Sequence, residues 1–297
     1  SVYPIKMTCS VPRGVAAVVY ETGSASSQPT HLFSIVRMTS SSSSSSAIQL
    51  RKFLPGKTVV FSGSADEDIA VLSDDGRTIS HGAADVVPEC SMRLVAIPDG
   101  AVIENIFPLA LPPGDSEGHG VVAHVRPSDS NGKIVAARRA RDFSCSDAGI
   151  SLQTGEAPIQ VAWQKDESMT VGAVLTTHRV LFVTSALELI RSFDCSSAAI
   201  RGPVQSIHWA GWSLLYTTET HLKSLSVDGT VSRILSLNTR PTILCGLLPD
   251  RVILMTGSLG RYSAYSRPLA LIEPLVTGEL AFAATLRPKV AARDSEL

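Results

Sequence analysis

Seven histidines, two runs of carboxylates and one arginine cluster are the side chains here that could do chemistry, and their spacing is the first test of each. His119 and His124 lie five residues apart around an apolar stretch, and no carboxylate stands at a recurring ligand offset from them. That spacing does not define a metal site. His208 sits beside Trp209 in a repeated strand, where packing or hydrogen bonding is the plain role. Asp66, Glu67 and Asp68 form one acidic run, and Asp74 and Asp75 another. Both border turns, where solvated acids are commonplace, so neither is read as an acid/base pair. No GxSxG elbow, HExxH helix or Walker phosphate loop occurs. Gly257-Ser258-Leu259-Gly260 lacks the Lys-Ser/Thr partner of a phosphate loop and reads as a turn. Arg138, Arg139 and Arg141, with Lys133 nearby, are the only concentrated positive charge. They are the candidate contact for anionic lipid headgroups, at up to about 1 kcal/mol per basic residue. The competing reading is an exposed strand edge kept from pairing by its charges. No catalytic, cofactor-binding or metal-ligating residue is assigned, and no cofactor is expected.

Composition narrows the classes further. The chain has 297 residues, a net charge of −1 and 44% hydrophobic residues, which fits ordinary globular material rather than a disordered tail. A near-neutral balance argues against an electrostatic nucleic-acid binder. Cys9, Cys90, Cys145, Cys195 and Cys245 are odd in number, far apart and free of any CxxC pair, so free thiols in a reducing compartment are expected. No run approaches the ~20 apolar residues that span a bilayer. Beginning at Ser1 and stopping at Leu297, the chain reads as an excised piece of something longer.

The elements that would position these residues are set by a repeat. Pro158-Ile159-Gln160-Val161-Ala162-Trp163 returns as Pro203-Val204-Gln205-Ser206-Ile207-His208-Trp209, and more faintly as Pro241-Thr242-Ile243-Leu244-Cys245. The three prolines are 45 and then 38 residues apart. Short apolar runs broken by turn residues fill the intervals. A period of about 40–50 residues built from short strands is the signature of β-propeller blades, roughly four strands to a blade. Such a sheet cannot bury both faces alone, so blades pack on each other. Trp163, Trp209 and Trp212 sit at strand positions of this repeat, where core packing accounts for them.

Taken in order, Ile5–Ser10, Val15–Tyr20, His31–Arg37 and Ile48–Leu54 read as a first blade interrupted by the serine run 40–46. That run has nothing to bury and reads as a surface loop. Thr58–Ser62 and Asp68–Ser73 begin the second blade. Asp-Gly or Asn-Gly pairs at 75–76, 99–100, 131–132 and 228–229 supply the positive φ of hairpin turns and favour antiparallel pairing. Val121–Val125 and Lys133–Ala137 would form a hairpin across Asn131-Gly132. Four strands follow within 159–193 and four more within 204–237, with alternation over Val231, Arg233, Leu235 and Leu237. A less regular unit spans Thr242–Leu271. About six units are expected in all, hence an all-β, WD40-like propeller of six to seven blades over residues 1–279. Leu280–Leu286 favours helix by composition, so residues 280–297 are expected to begin a truncated helical region.

One stretch also carries a family likeness. Met169-Thr170-Val171-Gly172-Ala173-Val174-Leu175-Thr176-Thr177-His178-Arg179-Val180-Leu181 resembles the larger WD40-repeat subunit of the plant TPLATE complex, the endocytic adaptor called TSET in other eukaryotes. Asp228-Gly229 with Val231 and Ile234-Leu235-Ser236, then Leu271-Ile272-Glu273-Pro274-Leu275 with Gly278, continue the likeness in the same order. It covers about Met169 to Gly278. The Trp-Asp and Gly-His pairs of ordinary WD40 repeats are missing.

The resemblance implies a long protein with two β-propellers before an α-solenoid, this chain being the second propeller. It implies a non-enzymatic scaffold of a vesicle coat in clathrin-mediated endocytosis. The implied partners are other adaptor-complex subunits and clathrin-coat proteins; the arginine cluster adds a peripheral contact with an anionic membrane, and neither nucleic acid nor a small-molecule substrate is expected. The implied place is the cytoplasm, with recruitment to the plasma membrane. Two alternatives stay open: another double-propeller trafficking coat, COPI-like or of intraflagellar transport, and a propeller hydrolase.

Overall fold

The computed structural model describes residues 2–10, 15–23, 30–39, 47–50, 54–62, 68–83, 93–96, 100–110, 119–127, 131–139, 143–165, 170–197, 200, 203–219, 221–236, 242–248, 251–256, 269–274 and 280–286. They are all-β, in six sheets that follow one another along the chain.

The first sheet is Val2–Ser10 (β1), Val15–Thr22 (β2), Thr30–Thr39 (β3) and Ala47–Leu50 (β4), with Leu54–Pro55 (β5) also on β3. The expected fourth strand, Ile48–Leu54, is therefore two short pieces sharing one edge. The second is Thr58–Ser62 (β6), Asp68–Leu72 (β7), Thr78–Ala83 (β8) and Arg93–Ala96 (β9). The third is Ala101–Pro108 (β10), His119–Pro127 (β11), Lys133–Arg139 (β12) and Phe143–Ser151 (β13). The fourth is Pro158–Lys165 (β14), Thr170–Thr176 (β15), Arg179–Thr184 (β16) and Leu189–Asp194 (β17). The fifth is Ser206–Ala210 (β18), Ser213–Thr217 (β19), His221–Ser226 (β20) and Val231–Ser236 (β21). The sixth is Thr242–Leu248 (β22), Arg251–Thr256 (β23), Leu269–Pro274 (β24) and Leu280–Leu286 (β25). Apart from β5, which shares the edge of β3, each is an up-and-down meander of nearest neighbours in chain order, which is the topology of a propeller blade.

The helix expected at the end does not form in the described part. Leu280–Leu286 pairs antiparallel with β24, Leu269 facing Leu286 and Pro274 facing Leu280. A vacant sheet edge overrides the weak helical preference of Leu and Ala. The serine run 40–46, the loop 111–118 and residues 287–297 lie outside the described residues.

Two compact units are defined, Ser1–Ala157 with Lys165–Gly172 and Val183–Leu189, and Pro158–Gln164 with Ala173–Phe182 and Ile190–Leu297. In the first, the second sheet is buried on both faces. Val59, Phe61, Ile69 and Val71 join Val15, Ala17, Val19, Phe33 and Ile35 of the first sheet in one cluster. The intervening Val60, Ala70, Leu72 and Ile79 join Ile103, Ile106, Val121, Ala123 and Val135 of the third in another. Successive side chains of a strand point to opposite faces, so after Asp68 β7 runs Ile-Ala-Val-Leu, all buried. Each such Val or Ile contributes about 1.5–3 kcal/mol of burial.

The turns follow local chemistry. Gly76 (φ 65°) and Gly229 (φ 97°) take the left-handed backbone that glycine adopts without a Cβ clash. Asn131-Gly132 connects β11 and β12 as expected, but Gly132 is not left-handed. It is glycine for room: a Cβ there would come within 2.6 Å of His124 Nε2.

Candidate functional site

The repeated motif proves to be a fastening between strands of the second unit. Gln160 on β14 uses both ends of its amide on one residue of β18: Nε2 donates to the Ile207 carbonyl at 2.9 Å and Oε1 accepts from the Ile207 N–H at 3.0 Å. Trp209, the tryptophan of the next repeat, donates from Nε1 back to the Ala162 carbonyl at 3.1 Å. The indole also packs on Phe182, with ring centroids 5.5 Å apart, and Phe182 meets Phe193 edge-on at 5.7 Å. The sequence displayed the Gln and Trp as a pattern. Their pairing partners, 47 residues away in each case, carried no local signal.

Among the described residues, several ionisable side chains are engaged in separate local bonds. His31 binds Asp74 twice, through its backbone N–H at 2.9 Å and with Nδ1 2.8 Å from Oδ1. His81, almost fully buried, has Nε2 3.6 Å from Asp68 Oδ2. Glu104 stands between His124 Nδ1, at 3.3 Å, and Arg126. Burial lowers the His124 imidazole below its ordinary value, with Glu104 opposing the shift and Arg126 adding to it. Asp66 and Glu67 lie outside the described residues. Among the described residues no group of three or more His, Cys, Asp and Glu side chains could hold a metal ion.

Two turns share one device. Ser73 Oγ and the Arg77 N–H both donate to Asp75 Oδ1, at 2.6 and 3.0 Å. Ser226 Oγ and the Thr230 N–H do the same to Asp228 Oδ1, the latter at 2.8 Å. Both carboxyls are held below the usual carboxylate range, first by the serine hydroxyl and then by the backbone N–H. The pattern Ser-x-Asp-Gly was present in the sequence at 73–76 and 226–229. The acids at these turns are thus structural.

Lys133 is set apart from the arginine cluster by the length of a strand. Lys133 opens β12 opposite Val125, whereas Arg138 and Arg139 close it opposite Gly120 and His119. Five residues of strand separate Lys133 from Arg138, about 16 Å at the usual rise. The side chains of Arg138 and Arg139, and all of Arg141, lie outside the described residues, so the lipid-contact expectation is carried forward as a proposal.

Of the three tryptophans, Trp209 is buried and Trp163 half-buried, but Trp212 is 43% exposed. Trp212 follows Gly211 at the tip of the two-residue turn between β18 and β19, where Ala210 pairs with Ser213. Core packing does not account for it. Ile190 on β17 is also exposed, at 44%. On β20 of the fifth sheet, Lys223 is buried and donates from Nζ to the Ile200 carbonyl at 2.7 Å, with its ammonium 5.9 Å from the Tyr216 ring centre. Burial pushes the Tyr216 hydroxyl well up, and the nearby Cys195 adds to the shift. Arg191 donates from Nη1 to the Asp228 and Val227 carbonyls, the second at 3.4 Å, with its guanidinium 5.7 Å from the Phe193 ring centre. Among the described residues, exposed apolar side chains such as Trp212 and Ile190 and exposed charges such as Asp228 stand on turns and strands of the sheets.

No family model matches the chain. Among curated proteins, the TSET complex member tstE of Dictyostelium discoideum is 33% identical over 119 residues, 38% of this chain and 9% of that protein. Among solved structures, the periplasmic gluconolactonase PpgL of Pseudomonas aeruginosa matches with TM-score 0.60 at 12% identity, over 94% of this chain and 84% of that one. The Swd1 β-propeller domain of Myceliophteria thermophila matches with TM-score 0.53 at 11% identity, over 97% and 87%. BBS1N in complex with ARL6DN matches with TM-score 0.51 at 11% identity, over 98% and 93%. At such identities the structures speak to fold alone. The chain is a β-propeller of the WD40-like class.

Its sequence is similar to that TSET complex member, the likeness the block beginning at Met169 suggested, and the match spans under a tenth of that protein's length. Among the described residues no helix is long and apolar enough to cross a membrane.

Proposed function

We propose that this chain is a non-enzymatic scaffold propeller of a TSET/TPLATE-type adaptor complex. In this reading its turns and outer strands hold other subunits, and clathrin-coat proteins join through the assembled complex. The protein works in the cytoplasm and is recruited peripherally to the plasma membrane in clathrin-mediated endocytosis. Arg138, Arg139 and Arg141 supply a contact to anionic lipid. The observation that carries the reading is the 119-residue match to a named TSET complex member. The separate engagement of His31, His81, Asp75 and Asp228 in local bonds agrees with a structural role for each.

The test is affinity purification of the tagged protein at its natural expression level, with imaging of the same tag. Co-purification of adaptor subunits and transient foci at the plasma membrane are the expected outcome. Steady Golgi or ciliary signal without such foci would transfer the chain to a COPI-like or intraflagellar-transport coat. For the lipid contact, liposomes rich in phosphatidylserine should retain the wild type and release the triple Arg→Ala variant. The likeness of fold to a gluconolactonase makes lactone hydrolysis the assay for the enzymatic alternative, and turnover that survives rigorous purification would overturn the non-enzymatic reading.

A further inference from the structure

The outermost strand of the fourth sheet has the properties of a docking edge. β17 ends the order β14-β15-β16-β17, so among the described strands it is paired on one side only. Its other edge presents the row of main-chain N–H and C=O groups that a sheet offers to an added strand. Most of its side chains are exposed, and only Phe193 packs inward, edge-on against Phe182. Ile190, Arg191, Ser192 and Asp194 are exposed, and Phe193 is half-buried.

These side chains specify what would pair there. Ile190 is a large apolar side chain left 44% exposed. Arg191 is held in place by the Val227 and Asp228 carbonyls through Nη1 and by the Phe193 ring, so its charge is displayed at a fixed point of the edge. Asp194 places the opposite charge three residues on. Asp228 lies close to Arg191, but its Oδ1 is engaged by Ser226 and Thr230. Residues directly opposite each other in an antiparallel pair share a face, and opposite charges there are favourable.

We infer that β17 accepts an extended segment of a partner polypeptide as a fifth, antiparallel strand. The segment carries a basic residue opposite Asp194, an acidic residue opposite Arg191 and a β-branched apolar residue opposite Ile190. Read from its own N-terminus, it is basic, any, any, acidic, β-branched. The inference rests on the scaffold reading only in taking the ligand to be a protein.

The experiment is an NMR titration of the whole 297-residue chain with a synthetic peptide containing Arg-Thr-Thr-Glu-Val, beside one containing Glu-Thr-Thr-Glu-Val. Backbone amide shifts should centre on β17 for the first peptide. Ile190→Ser should weaken that peptide, and Asp194→Lys should weaken it about two- to fivefold while improving the second peptide by a like factor, the span of a cross-strand pair. Asp194 is exposed and the change should leave the fold intact, which unchanged thermal unfolding verifies. A footprint away from β17, no binding, or equal binding by wild type and both variants would overturn the inference. Absent peptide binding with intact subunit co-purification would remove the docking edge and leave the scaffold reading standing. Lost co-purification with intact peptide binding would do the reverse.

Discussion

Gln160 closes a two-point bond on the backbone of Ile207, donating at 2.9 Å and accepting at 3.0 Å, so one side chain satisfies both main-chain groups of a residue on the neighbouring sheet. No apolar residue of similar size could do this. Gln160→Leu would leave the Ile207 N–H and C=O without that partner, at about 1–3 kcal/mol for each buried group left unpaired. Gln160→Glu should fall between, since it retains the acceptor but sets a carboxylate oxygen against the Ile207 carbonyl. Urea unfolding of the purified chain measures the order wild type, Glu, Leu, and an unchanged midpoint for the Leu variant would count against the fastening.

Trp209 returns the connection from the other strand. Trp209→Phe retains most of the packing on Phe182 but gives up the Nε1 bond to the Ala162 carbonyl. The expected loss is about 1 kcal/mol, against about 3–5 kcal/mol for Trp209→Ala. Gln160 and Trp209 fasten the same pair of strands, so the double variant should depart from additivity by more than about 0.5 kcal/mol.

His124 supplies a pH dependence. Its folded-state value is lowered, chiefly by burial, from an ordinary value near 6.5. The unfolded chain therefore binds the proton first on acidification. Stability is fully present above about pH 6.5 and declines as pH falls toward the lowered value, after which this group adds no further slope. His124→Asn should flatten that part of a plot of unfolding midpoint against pH. Gly132→Ala should be destabilising at every pH, since its Cβ would meet the same imidazole at 2.6 Å.

The two serine-aspartate turns act lower on the pH scale. Asp75 and Asp228 are depressed below the ordinary 3.8, so their contribution is present above that pH and lost as pH falls through the lowered values. Both side chains are exposed, and their share of acid unfolding is small. Asp75→Asn with Asp228→Asn keeps an acceptor oxygen at each turn and should shift the acid limb of unfolding toward lower pH, as followed by circular dichroism.

Tyr216 is a case where removing a polar group should help. Its hydroxyl is fully buried and has no hydrogen-bond partner among the described residues. Tyr216→Phe removes that desolvated group and retains the ring beside Lys223. The expected change is a rise of up to about 1–2 kcal/mol in unfolding free energy. A marked fall would mean that the hydroxyl is bonded in solution.

What the sequence determined by itself was everything whose cause is local. Strand alternation and the Ser-x-Asp-Gly turns follow from period-two geometry and turn chemistry within a few residues. Tertiary structure decided the remainder. The composition of Leu280–Leu286 favoured helix until the edge of β24 offered a row of hydrogen bonds. Lys133 and Arg138 are near in sequence and stand at opposite ends of a strand, because an extended chain carries them apart. Trp209 and Trp212 are three residues apart, and one is buried where the other is exposed, because a two-residue turn lies between them and a neighbouring sheet covers only the first. The partner of Gln160 lies 47 residues along the chain, and the pairing between strands that far apart is fixed by how sheets pack, which no local pattern records.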